Sequence, residues 1–104
     1  MMDEQFIRNR LTKLRQQKQV SERKMSLDLG HSTSYIRSIT SGRALPSMSE
    51  FLYICEYLGV TPQEFFDEGN PNPAALKEFI TEAKKLDSKT MSYILGIMKE
   101  LNSK

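Results

Sequence analysis

The residues with the reactivity for catalysis are few and far apart. His31 is the single histidine and Cys55 the single cysteine of the 104-residue chain. A zinc site takes about four ligands, and no neighbouring ligand pair accompanies either residue, so no metal is expected. Cys55 lies in the apolar run Phe51, Leu52, Ile54, Cys55, Leu58 at the spacing of a helix core. A lone cysteine forms no internal disulfide and fits a reducing cytoplasm. No Ser/His/Asp or Cys/His set has motif context, and the carboxylates are scattered. Gly30 and Gly42 lack both the spacing and the Lys-Ser/Thr of a phosphate loop. The expectation is a protein that is not an enzyme and carries no cofactor. The informative chemistry is polar and basic, and it lies in residues 20–42, VSERKMSLDLGHSTSYIRSITSG.

The charge distribution agrees with a basic recognition surface. The net charge of +2 is small, but residues 1–50 hold nine Lys/Arg against five acids, and residues 51–104 hold six against eight. A basic first half suits a polyanionic partner for that half alone, although a solvated, uneven surface gives the same count. The segment Met1–Arg10 has no apolar stretch of the signal-peptide kind. No apolar run approaches the roughly 20 residues of a membrane span. A cytoplasmic protein without membrane contact is expected.

The elements that would position these residues all read as helices. Phe6, Ile7, Leu11 and Leu14 make an apolar stripe over about 4–17, with Arg8, Arg10, Lys13 and Lys18 on the other faces. Ser21 is placed to cap a second helix that stops before Gly30, with Met25 and Leu29 inward. A third helix is expected over about 32–41, with Ile36 and Ile39 inward and Gly42 beyond its end. Ser47-Met48-Ser49-Glu50 is a capping box before a fourth helix ended by Gly59. Thr61-Pro62-Gln63-Glu64 is a second box, with Phe65 and Phe66 closing the core.

Within 20–42 the spacing specifies how two helices meet. Ser26 is a small residue on the inner face, which lets a second helix cross closely, and Gly30 sits at the turn four residues later. Two helices crossing at roughly 90–120° through a short glycine turn satisfy this pattern. The second helix then projects far enough to enter a major groove about 12 Å wide.

The stretch from about Ile7 to Phe66 resembles the lambda-repressor/Cro-like (Xre) family. The resemblance rests on Leu14-Arg15, Met25, Ser26, Gly30, Ser32, Tyr35-Ile36 and Ile39. It continues through Ser41-Gly42-Arg43, Pro46, Phe51 to Leu58, Gly59-Val60-Thr61 and Phe65-Phe66. It implies an all-α fold, a five-helix DNA-binding domain with a short helical pair after it, and a transcriptional regulator of the repressor type. The third helix is then the recognition helix. Thr33, Ser34 and Ser38 fall where the family touches base edges, and Arg37 shares their side, suited to a guanine or a phosphate. Arg23, Lys24 and Arg43 are placed for the phosphate backbone, and Tyr35 for packing or for a phosphate. Three departures stand out. Glu22 replaces a phosphate-gripping Gln and is not expected to touch DNA. Ser26 replaces Ala, with its hydroxyl expected to bond back to a helix carbonyl. Thr40 replaces a Glu that pairs with the first-helix Arg, which would leave Arg15 free to turn toward DNA.

Residues 67–73, Asp-Glu-Gly-Asn-Pro-Asn-Pro, break any helix. The expected division is a DNA-binding domain over 1–68, a linker over 69–73 and a helical appendage over 74–104. Asp87-Ser88 divides the appendage in two. Its stripes include Leu76, Phe79, Ile80, Ile94, Met98 and Leu101, more apolar surface than a small domain needs, and these are expected to pair with a second copy as a homodimer. Folding back onto the domain is the plainer use of the same surface. The competing functional reading is a protein-interaction module of the antitoxin or anti-repressor type, acting through the appendage.

Overall fold

The structure, a computed structural model, describes residues 2–104; Met1, the first residue of the expected DNA-binding domain, lies outside them. Among the described residues there are seven helices and no strand. They are α1 (Glu4–Lys18), α2 (Glu22–Asp28), α3 (Tyr35–Thr40), α4 (Met48–Leu58), α5 (Pro62–Phe65), α6 (Pro73–Ala83) and α7 (Ser88–Asn102). The all-α architecture is thus the expected one. The chain divides into two compact units, one reaching Pro73 and the other comprising Ala74–Lys104.

Local chemistry sets most of the helix ends. Asp3, Ser21, Ser47, Thr61 and Asp87 each accept a backbone N–H of the first turn that follows, filling one of the donors that a helix start leaves without a partner. The Thr61–Glu64 box closes reciprocally, with Pro62 at the first helical position. The Ser47–Glu50 box closes only halfway. The Glu50 carboxylate turns away from the cap and meets His31 Nε2 at 2.7 Å, tying α4 to the turn between α2 and α3.

The core of the first unit is drawn from all five of its helices. Leu11, Leu14, Met25, Ile36, Ile39, Phe51, Ile54, Cys55, Leu58, Val60 and Phe65 are buried in one cluster. Phe65 sits edge-on to Phe51 at 5.0 Å, whereas Phe66 lies at the rim, stacked on Phe6 at 6.2 Å. Cys55 is a core side chain, and burial pushes its thiol up to about 11.

Two cations depart from expectation. Arg10 was assigned to a polar face, yet it is buried. Its guanidinium donates to the carbonyls of Phe65 (2.8 Å), Glu64 (2.7 Å), Asp67 (3.3 Å) and Asn70 (2.7 Å). Gln17 adds a bond to the Pro71 carbonyl at 2.9 Å, and Pro73 is fully buried. The proline-rich stretch is therefore strapped along α1 rather than loose. Arg15 is not free to reach DNA either. Its Nη1 donates to the Val20 carbonyl at 2.7 Å, and its Nε is buried without a partner.

In the second unit α6 and α7 bury little. No residue of α7 is buried, and Leu76, Phe79, Ile80, Leu95, Ile97 and Leu101 are exposed. Phe79, Ala83, Leu86, Met91, Ile94 and Met98 line an apolar cavity of about 390 Å³ with Glu82 at its edge.

Candidate nucleic-acid interface

The site is built on the α2–turn–α3 corner. Gly30 (φ +79°) and Gly42 (φ +88°) carry the chain out of α2 and α3 in the left-handed region, where a side chain is strained. Ser26 is wholly buried at the crossing. Its hydroxyl donates to the Glu22 carbonyl at 2.7 Å, the back-bond expected of it, and also accepts the Ile36 N–H at 3.0 Å. That second bond caps α3 from the neighbouring helix. The residue preceding α3, Ser34, makes no side-chain cap of its own.

The third helix is shorter than expected. The spacing predicts helix over about 32–41, but Ser32, Thr33 and Ser34 form a turn, and α3 runs only from Tyr35 to Thr40. The reason is the source of the caps. The Tyr35 N–H goes to the Ser32 carbonyl and the Ile36 N–H to Ser26, so the chain enters helical geometry at Tyr35. At the other end Arg8 Nε donates to the Ile39 carbonyl at 3.1 Å, fixing α3 to α1.

Of the residues expected to face bases, Thr33 and Ser34 are exposed in the turn and Arg37 is exposed on α3. Ser38 is half-buried, with its hydroxyl donating to the Tyr35 carbonyl, so its remaining capacity is to accept. Of those expected to face phosphates, Arg23, Lys24 and Arg43 are exposed; Lys24 pairs with Asp28 at 3.3 Å and Arg43 donates to Ser41 Oγ at 3.2 Å. Tyr35 is half-buried with its ring stacked on His31 at 3.7 Å and its hydroxyl oxygen shielded from solvent. Burial, then the nearby Glu50 carboxylate, raises its phenol above the ordinary range. In this arrangement Tyr35 packs the turn and does not present its hydroxyl.

Glu22 joins the site although no contact was expected of it. Its carboxylate takes the Thr40 hydroxyl at 2.6 Å and faces Arg37 Nη1 at 3.4 Å. Two of the three departures from the family pattern, Glu22 and Thr40, thus meet each other. No local pattern signals this, because the contact depends on the crossing of α2 and α3. Arg10 did leave one: it lies four residues after Phe6 and four before Leu14, on the apolar stripe itself.

A family model described as a helix-turn-helix domain matches residues 9–70, more than half of the chain. The chain belongs to that helix-turn-helix family. No curated protein matches it, and no solved structure does. The match spans α2, the turn, α3 and the helices that fix them, and the domain is thereby assigned to DNA binding. No helix among the described residues is long and apolar enough to cross a membrane.

Proposed function

We propose that this protein is a sequence-specific regulator of transcription, a dimeric repressor of the lambda-repressor/Cro-like type, that binds double-stranded DNA by placing α3 in the major groove. The observation that carries the reading is the α2–turn–α3 corner. Its short helix is fixed at both ends by other elements, through Ser26 and Arg8, and its outer side offers Thr33, Ser34 and Arg37 to solvent. Thr33, Ser34, Arg37 and Ser38 read base edges. Arg23, Lys24 and Arg43 hold phosphates, and Tyr35 joins them only if its ring leaves the His31 stack. Ser and Thr hydroxyls serve either kind of base, so most of the discrimination falls to Arg37, whose planar fork matches guanine O6 and N7.

The division of the chain into a DNA-binding domain through residue 68, a strap and an appendage gives the dimer its parts. The exposed apolar residues Leu76, Phe79, Ile80, Met98 and Leu101, with the half-buried Ile94, meet their counterparts in a second copy. Two recognition helices then fall about 34 Å apart, one turn of duplex.

Selection from a randomised duplex library, followed by a salt titration on the enriched sites, tests the reading. The expected outcome is a near-palindromic motif whose affinity falls steeply with salt. Arg37→Ala is expected to lower preference at one base pair of each half-site roughly 5- to 150-fold, the equivalent of about 1–3 kcal/mol. No enrichment and no salt-sensitive binding at low ionic strength overturn it and favour a protein-interaction module working through α6 and α7.

A further inference from the structure

We infer that Glu22 is a positioning residue for base readout: its carboxylate, anchored on Thr40, holds the Arg37 guanidinium in the orientation that addresses a base pair. The inference rests on α3 being the recognition helix. The two oxygens of Glu22 divide their work. One accepts the Thr40 hydroxyl at 2.6 Å, and the other faces Arg37 Nη1 at 3.4 Å. The carboxylate is the sheltered end of this chain of contacts, its side chain 23% exposed, and the guanidinium is the open end at 68%. Arg37 and Thr40 are three residues apart and so share a face of α3. Glu22 opens α2, and the two helices are already locked by Ser26, so the carboxylate stands on a fixed platform.

Affinity for DNA does not explain a carboxylate here, whatever its bond to Thr40 and its place in the first turn of α2 add to folding. An anion on a face that meets a polyanion weakens association with every sequence. An ion pair this exposed contributes little to folding. A free Arg37 would have to give up its rotamer freedom on binding and would be drawn equally to any phosphate. Held by Glu22, it loses less freedom on docking to a base, because one of its nitrogens already faces a fixed carboxylate. Part of its charge is also answered by the carboxylate, so the general pull toward phosphate falls. Both effects widen the difference between the right and the wrong base pair, which is what specificity measures.

The test is a parallel selection on the randomised library with the full-length wild type, Arg37→Ala, Glu22→Gln, Thr40→Val and the Glu22→Gln/Arg37→Ala double variant. Arg37→Ala identifies the base pair that Arg37 reads. Glu22→Gln is expected to lower preference at that same pair roughly three- to tenfold, while binding random duplex more tightly. Thr40→Val is expected to lower preference at that pair without a change of charge, and so without a change in the salt slope. In the double variant Glu22→Gln adds nothing to the loss of preference. The inference is overturned if Glu22→Gln and Thr40→Val leave the preference at wild-type level. An equal effect of Glu22→Gln with and without Arg37 also overturns it, as does an Arg37→Ala variant that lowers preference at no position. A wild type that enriches no motif sinks the DNA-binding reading itself; a motif indifferent to Glu22 sinks this inference alone.

Discussion

Ser26 shows how one atom can hold a recognition element. Its hydroxyl is both the donor that bends back to Glu22 and the acceptor that receives the Ile36 N–H, and it has no exposure to water. Removing it leaves a buried N–H at the start of α3 with nothing to satisfy it, a state more costly than the loss of an ordinary exposed bond. Ser26→Ala is therefore expected to lower stability by about 1–2 kcal/mol in urea unfolding, with the unfolding slope unchanged. It is also expected to speed amide exchange at Ile36 ahead of the rest of the core. A variant as stable as wild type, with Ile36 still protected, would show that α3 does not depend on this cap. Half of the Ser26 chemistry was legible in the sequence, because a back-bond reaches only four residues along one helix. The other half was not, since it spans ten residues and requires the crossing itself. The same limit hid the Glu22–Thr40 contact and misplaced Arg15, whose true partner is the Val20 carbonyl beyond its own helix end.

Helix starts were the most legible elements, because a cap is a matter of a few neighbouring residues: Ser21 and Thr61 each accept the N–H that the sequence offers them. Where a distant residue competes, local reading fails, and Glu50 leaves its own cap for His31. The strap after α5 is the larger case. Two prolines and a glycine read as a linker, yet Arg10 ties four of the carbonyls in and beside that stretch to α1. A buried guanidinium without a carboxylate is tolerated because charge-assisted bonds to carbonyls take its place. The Glu64 and Asp67 carbonyls also accept the Asp67 and Asn70 N–H groups at 3.3 and 3.1 Å, so Arg10→Met would chiefly deprive the Phe65 and Asn70 carbonyls of a close donor. The expected cost is about 2–4 kcal/mol, with proteolytic cleavage appearing first within residues 66–72. Arg10→Met at wild-type stability and with the strap still resistant would mean that the clamp is incidental.

At the scale of the whole molecule the two units pose opposite energetic problems. The first buries eleven apolar side chains around α3 and is complete as a core. The second has two helices with no buried residue in α7 and a cavity lined by Phe79, Leu86, Met91 and Ile94. A unit of that size with so little buried apolar area does not outweigh the entropy of ordering its own backbone, so its helices call for a further surface. In the proposed dimer a second copy would supply one by symmetry, since the same stripe is then used twice. Charge does not divide at the same place: the basic excess of residues 1–50 is offset by Glu56, Glu64, Asp67 and Glu68, which also belong to the first unit, whereas residues 74–104 hold six Lys against four acids. Ile94→Lys places a cation in the cavity without touching the first unit's core. The wild type is expected to sediment as a dimer at micromolar concentration and the variant as a monomer, with the unfolding of the first unit unchanged. Linked half-sites gain from effective concentration, so the variant's affinity for a palindromic site is expected to fall roughly 10²- to 10⁴-fold while its affinity for an isolated half-site stays put. Equal losses on both sites would place the damage in the DNA-binding unit. A wild type that is already monomeric, and binds the palindrome no better than the half-site, would leave α6 and α7 to a different partner.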